Sequence, residues 1–248
     1  MPRAERKGSK SGVYHVMIRG INKQCIFHDD EDYLTFLDRL IRYKKDGDFE
    51  LYAYCLMNNH VHLLLREKEE AISSLMKKIT VSFVYWYNNK YERTGHLFQD
   101  RFRSEPIESD AHLLTVARYI HQNPVKIGRS INNWTSYPDY FKNDGAVDTD
   151  FLLNYFSTDR NEALRQFSLF MNEKNSDSYI DVNDRKRLTD TEVEIIIKKI
   201  GNIILCQDIH LLDKKERDNL LQNIKKEGAS VRQIARLTGL NRAVVLNA

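Results

Sequence analysis

The chain has 248 residues, 42% hydrophobic and 29% charged, with four prolines and a formal net charge of +3. This composition excludes wholesale disorder, and three widely spaced cysteines without a CxxC pair (Cys25, Cys55, Cys206) exclude a disulfide framework or zinc knuckle and point to a reduced cytoplasm. No apolar run reaches the length of a membrane span and the polar, basic start has no apolar signal core, so no membrane partner is expected. From Lys225 to the end five Lys or Arg face one Glu, as on a phosphate-binding surface.

Residues 12–20 (GVYHVMIRG) alternate and are rich in strand formers, which predicts a first strand with Tyr14, Val16 and Ile18 on one face. The acidic run Asp29, Asp30, Glu31, Asp32 reads as a solvated helix start, not a metal site. Tyr33, Phe36, Leu37, Leu40 and Ile41 follow it at helical spacing. Residues 44–48 break this helix. A second strand over residues 49–56 then leads through a polar turn at Asn58 and Asn59 into a third, HVHLLL. Alternation along that strand puts His60 and His62 on one face and Val61, Leu63 and Leu65 on the other. Two imidazoles at neighbouring same-face positions can take adjacent sites on a divalent metal and leave others for water, a third ligand and a phosphate. The plainer reading is a pair of polar residues on an exposed strand face.

Residues 69–91 predict a long helix with an apolar stripe of Ile72, Leu75, Met76, Ile79 and Phe83. The next stretch, 95–104 (GHLFQDRFRS), interleaves basic and aromatic side chains in an extended segment. That pattern suits single-stranded nucleic acid, and equally a sheet edge with solvated arginines. Ser109 and Asp110 cap a helix over residues 111–122 that ends before Pro124, with Leu113, Leu114, Ala117 and Ile120 as its buried face. Tyr119 and Asn123 lie four apart on one side of it, away from that stripe. Tyr119 is either plain packing or, if it faces the histidines, a nucleophile with a neighbouring amide ligand. His121 is about 200° round the helix from Tyr119, which favours structural hydrogen bonding. A turn at 143–145, one or two helices over 151–172, a linker at 173–184 and amphipathic helices over 189–206 and 213–227 complete the body. The last stretch, 230–245, has helix-turn-helix spacing with Gly239 at the left-handed turn, and Asn241 and Arg242 open the second helix. A generic helical hairpin is the alternative.

Taken together and in order, YHVMIRG, IFHDDEDY, YCLMNNHVHLLL, GHLFQDRFRSEPI and ARYIHQNPV, over about residues 12–140, resemble the HUH-type single-tyrosine transposases (IS200-like). Within that group the chain is most similar to the REP-associated tyrosine transposases, and its tail is similar to the DNA-binding segment of longer members. The resemblance implies an α+β fold with an antiparallel, ferredoxin-like sheet flanked by helices, followed by a small all-α helix-turn-helix domain. It divides the chain into 1–142 (catalytic domain), 143–187 (helical extension and linker) and 188–248 (helical domain). It further implies Mg²⁺ or Mn²⁺, a homodimer, single-stranded hairpin DNA as partner and a covalent 5′-phosphotyrosine intermediate. Carried over by position, His60 and His62 resemble the metal pair, Asn123 the amide ligand and Tyr119 the nucleophile. Arg101, Arg103, Arg118 and Lys126 are expected to hold the DNA backbone, with Arg232, Asn241 and Arg242 binding DNA from the tail. One departure is Asn58, where the family carries proline. The expected activity is cleavage and rejoining of single-stranded DNA; the competing expectation is a domesticated, non-cleaving DNA-binding regulator.

Overall fold

Strand β1 (Val13–Arg19) is the third member of a four-stranded sheet whose spatial order is β2 (Phe49–Met57), β3 (His60–Glu67), β1 and β4 (Arg103–Pro106). In chain order β1, α1 (Asp30–Lys45), β2, β3, α2 (Ile72–Lys90) and β4 give the ferredoxin-like split arrangement, with every neighbouring pair antiparallel. A computed structural model describes residues 8–46, 49–142, 146–175, 177, 179 and 188–248. The expected turn at 143–145, most of the basic N-terminal start and much of the linker fall outside them. The chain divides into two units, Met1–Asp181 and Val182–Ala248.

Register decides what each face of the sheet carries, because directly paired residues point the same way. Met17 pairs with His62 on one side and with Arg103 on the other, Arg19 pairs with His60, and His15 with Leu64. That face therefore collects His15, Met17, Arg19, His60, His62 and Arg103. The opposite face carries Tyr14, Val16, Ile18, Val61, Leu63 and Leu65, all buried in the main core. α1 and α2 cover it, locked together by the edge-to-face pair Phe36 and Phe83 with ring centroids 5.2 Å apart.

The acidic start of α1 differs from the solvated run expected. Asp29 caps the helix in a reciprocal capping box with Asp32. Asp32 itself is fully buried, and takes Lys90 Nζ at 2.8 Å and the Tyr91 hydroxyl at 2.8 Å. The residues 95–104 also differ: the ladder begins only at Arg103, and before it a single bridge joins Phe98 to Gly20. Gly95 is left-handed at φ 91°, and the buried Leu97 turns the segment inward, so a continuous edge strand cannot form.

Past β4, α3 (Asp110–Gln122) lies against β2 and β3, and α4 (Asp139–Lys142), α5 (Thr149–Leu153) and α6 (Arg160–Asn172) complete the described α-helices of the first unit. The second unit has its own core, built by α7 (Asp190–Gly201), a 3₁₀ turn (Cys206–Leu211), α8 (Lys214–Lys226), α9 (Val231–Thr238) and α10 (Arg242–Asn247) around Ile197, Ile209, Leu221, Ile224, Ile234 and Val245. α7 stops short of the expected end at 206 because Asn202 takes the left-handed cap at φ 47°. Between α9 and α10, Gly239 is left-handed at φ 75° as its position in the turn requires.

Candidate active site

The strand alternation that separates His62 from its apolar neighbours also brings it to the centre of the sheet, where it is fully buried, while His60, two residues nearer the turn, is half-buried. Their rings stand perpendicular with centroids 5.0 Å apart. The turn before them is intact with Asn58 in place of proline. The Asn58 carbonyl accepts from Ile26 N at 2.8 Å and Phe27 N at 3.1 Å, and the Asn59 carbonyl from Gly20 N at 2.9 Å. The loop after β1 thus clamps the turn that carries the histidines.

Each of the two rings is oriented through its Nδ1. Asn59 Nδ2 donates to Lys23 O at 3.2 Å, which turns its Oδ1 toward His60 Nδ1 at 2.6 Å. A carboxamide oxygen only accepts, so His60 carries its proton on Nδ1 and leaves a lone pair on Nε2. His62 Nδ1 lies 3.0 Å from Nε2 of His15, which is fully buried. Burial first, then the neighbouring His62 and His112 rings, holds His15 well below the ordinary histidine range, so it is neutral.

α3 supplies the third group. Ser109 caps it, its side chain accepting from His112 N, and its C-terminal half is buried all round because the sheet lies on one side and α6 on the other. Tyr119 and Asn123 are therefore buried, 1% and 4% exposed, rather than lying on a polar side clear of the apolar stripe. The Tyr119 ring stands edge-on to His62 at 5.7 Å between centroids and to His15 at 5.9 Å. Asn123 Nδ2 donates to Tyr119 O at 2.8 Å, which engages the amide nitrogen and keeps the oxygen as the group able to act as a ligand. His121 points elsewhere: its Nε2 is 2.9 Å from Ser136 Oγ and its Nδ1 3.5 Å from Met171 Sδ. Burial brings its pKa down to about 3, which makes it a neutral structural group.

Tyr119 is covered as well as placed. Lys126 Nζ sits 3.6 Å from the centroid of its ring, and Tyr179 meets it edge-on at 5.2 Å. Tyr179 in turn stacks on His112 and donates to Thr115 Oγ1 at 2.5 Å. The residues after α6 are pinned along α3 by Gln122 Nε2 donating to Met171 O and Glu173 O, and by Arg118, which pairs with Glu173 at 2.8 Å and Asp177 at 3.0 Å. Arg118 is thus buried, with its guanidinium over Phe170 at 4.2 Å, and does not present a cation to a ligand as expected from sequence. Lys126 is half-committed, donating to Asp177 O at 3.3 Å, and burial lowers its pKa.

Arg101 and Arg103 are exposed, Arg103 on β4 in the same cross-strand row as His62. In the second unit Arg232 and Arg242 are exposed, and Asn241 uses its side chain to cap α10 by accepting from Ala243 N at 2.8 Å. Sequence reasoning missed His15, Asn59 and Tyr179. The strand pattern of YHVMIRG sets His15 opposite Tyr14 and Val16, but only the pairing of β1 with β3 shows that this is the histidine face.

Among the described residues, no group of three or more His, Cys, Asp or Glu is arranged to hold a metal ion. The two imidazoles are each oriented through Nδ1, His60 by Asn59 and His62 by His15, and an imidazole pair of that kind suits a divalent ion that also accepts oxygen and water ligands.

Residues 9–123 match the family model described as "Transposase IS200 like". No curated protein matches the chain. Among solved structures, the chain is similar to a REP-associated tyrosine transposase bound to a REP hairpin, with 20% identity, 57% of this chain and 86% of that chain covered, and a TM-score of 0.49.

Proposed function

Because the domain over residues 9–123 belongs to the IS200-like transposase family, we propose that the chain cleaves and rejoins single-stranded hairpin DNA through a covalent 5′-phosphotyrosine. The observation that carries this reading is the convergence of His60 and His62 from β3 with Tyr119 from α3, the Tyr119 and His62 rings 5.7 Å apart. In the step itself Tyr119 Oη bonds to phosphorus and the P–O3′ bond breaks. The phenolic proton passes to water and the leaving 3′ oxygen takes one up. Rejoining runs the same exchange with a 3′ hydroxyl as attacker. The ester bond is conserved through the phosphotyrosine, so no nucleoside triphosphate is needed.

The chain's own groups account for most of the work. A free tyrosine hydroxyl titrates near 10 and attacks poorly at neutral pH, so the phosphate must be polarised. His60 Nε2, His62 Nε2 and the Asn123 amide oxygen are the donors that would hold Mg²⁺ or Mn²⁺, which when bound supplies a positive charge to a non-bridging phosphate oxygen. Lys126, whose Nζ lies over the Tyr119 ring, adds a cation on the face of that ring. Arg103 lies one strand from β1 on the same face and offers a contact to the incoming backbone.

The burial of Tyr119 favours a second reading, a DNA-binding regulator on the same domain whose tyrosine never meets a phosphate. One experiment separates them. Purified protein, Mn²⁺ and a labelled single-stranded hairpin are mixed and run on a denaturing gel, with Tyr119→Phe and His62→Ala alongside. A protease-sensitive, retarded DNA band lost in both variants is the expected result. Tight binding without such a band leaves the regulator.

A further inference from the structure

Among the described large hydrophobic residues of the first unit, Tyr85 on α2 is the most exposed, at 80%, and Val81, one turn earlier, is 59% exposed. An exposed tyrosine and valine one turn apart lose the burial that apolar area normally gains, which marks a binding face. A cavity of about 590 Å³ runs between this helix and the segment ahead of β4, bounded by Thr80, Val81, Tyr85, Phe98 and Arg101. A second, of about 420 Å³, shares Thr80, Val81 and Arg101 with it and continues toward Ser73 and Lys77. The two form one groove from Asn88 to Ser73, about 22 Å at the helical rise. A third hollow, of about 740 Å³, flanks Val81 and Tyr85 on their other side beside Arg39 and Lys77.

We propose that this groove holds an unpaired stretch of DNA, with a base stacked on Tyr85 and the backbone phosphates on Arg101 and Lys77. An apolar floor, an aromatic lip and flanking cations are what single-stranded nucleic acid needs, since every base offers a ring face and every linkage a charge. Lys77 and Arg101 line the groove against a single acid, Asp100, and Arg39, Lys77 and Lys78 flank the third hollow against Glu70, so the net positive lining favours a polyanion. The groove is also joined to the site. Leu97 O accepts from Ile21 N at 2.9 Å and Gln99 N donates to Arg19 O at 2.9 Å, and Arg19 is the register partner of His60. One wall of the groove is therefore hydrogen-bonded to the end of the strand beside the histidines, and a bound strand continues round the β4 edge toward Arg103. This inference rests on the DNA-processing reading and names where the strand lies.

The test is fluorescence anisotropy of the full chain with a labelled 12-nucleotide oligothymidine and, separately, a duplex of the same length. Tyr85→Ala is expected to weaken single-strand binding at least fivefold, the lower end for loss of one stacked base, with the salt slope unchanged. Arg101→Ala is expected to lower the salt slope by about one phosphate contact. Duplex binding should change little with Tyr85→Ala. Unaltered single-strand affinity in Tyr85→Ala would overturn the proposal, as would a change in sedimentation mass at unchanged affinity, which would assign the face to contact between copies. The wild-type adduct assay decides the catalytic reading separately: weakened binding in Tyr85→Ala with no wild-type adduct would keep the groove and remove the strand transferase.

Discussion

His15 Nε2 stands 3.0 Å from His62 Nδ1, one buried imidazole hydrogen-bonded to another across adjacent strands. For His62 to offer Nε2 as a ligand, its proton must sit on Nδ1 and be accepted by His15. His15 then holds its own proton on Nδ1, which is buried without a hydrogen-bond partner among the described residues. His15→Phe removes the acceptor and should weaken Mn²⁺ binding about 10- to 100-fold. His15→Asn, which can still accept, should lose less. Titration calorimetry with Mn²⁺ alone reads both, and equal affinity in wild type and His15→Phe would sink this role.

Two fully buried neutral histidines also fix how stability responds to acid. His121 has a folded pKa of about 3 and His15 is held well below 6.5, whereas both titrate near 6.5 once unfolded. Between those limits the unfolded chain binds more protons, so stability is full above about pH 6.5 and falls as pH drops toward the folded values. Each contributes up to about 1.4 kcal/mol per pH unit in that window. Urea midpoints should be flat from about pH 7 to 8 and decline below about 6.5. His121→Gln, which can still bond Ser136, should make the decline shallower; an identical profile would refute the assignment.

Tyr119 cannot reach a phosphate while Tyr179 and Lys126 lie against its ring. Tyr179→Ala deletes one side of that cover and leaves His60 and His62 in place, though it removes the ring beside His15 and His112. Single-turnover adduct formation should rise several-fold at saturating hairpin, of the order expected when about 1 kcal/mol of ring packing is lost from the closed form. An unchanged rate would mean that the cover opens freely and does not limit the reaction.

Tyr119 stands against His62 of its own chain, and only residues 107–109 separate β4 from α3. A connection that short keeps the tyrosine helix beside the sheet that precedes it. The site should therefore be complete within one chain. Mixing Tyr119→Phe with His62→Ala should restore no adduct. Recovery toward about a quarter of the wild-type yield, the share of complete sites in a randomly paired mixture, would show that copies exchange the helix.

Much of this architecture can be read from local pattern. The alternation in GVYHVMIRG and HVHLLL, the apolar stripes of α2 and α3, Pro124 and Gly239 each act within a few residues of themselves, and the elements formed where those signals sit. The two histidines on one strand face were legible for the same reason. The burial of Asp32 and Arg118 was not, because the groups that neutralise them, Lys90 and Asp177, are 58 and 59 residues away. His15 and Tyr179 were missed on similar grounds: neither belongs to a short motif, and each gains its place only from long-range pairing or from chain that folds back past α6. The break in the edge strand at 95–102 follows from the inward turn of Leu97, a tertiary demand that overrides an extended composition.

The register between β1 and β3 has a consequence for how this chain can vary in length. One residue lost or gained inside residues 13–19 would swing His15 to the side of the sheet filled by Val61, Leu63 and Leu65 and drive Tyr14 or Val16 toward the histidines. Substitution in these strands can be absorbed one side chain at a time, whereas a frame change would invert the whole row at once. Insertions and deletions should accordingly be purged from β1 and β3 and collect in segments with no strand partner. A deletion scan read by folded yield would trace the sheet's register as a run of intolerant positions between tolerant loops.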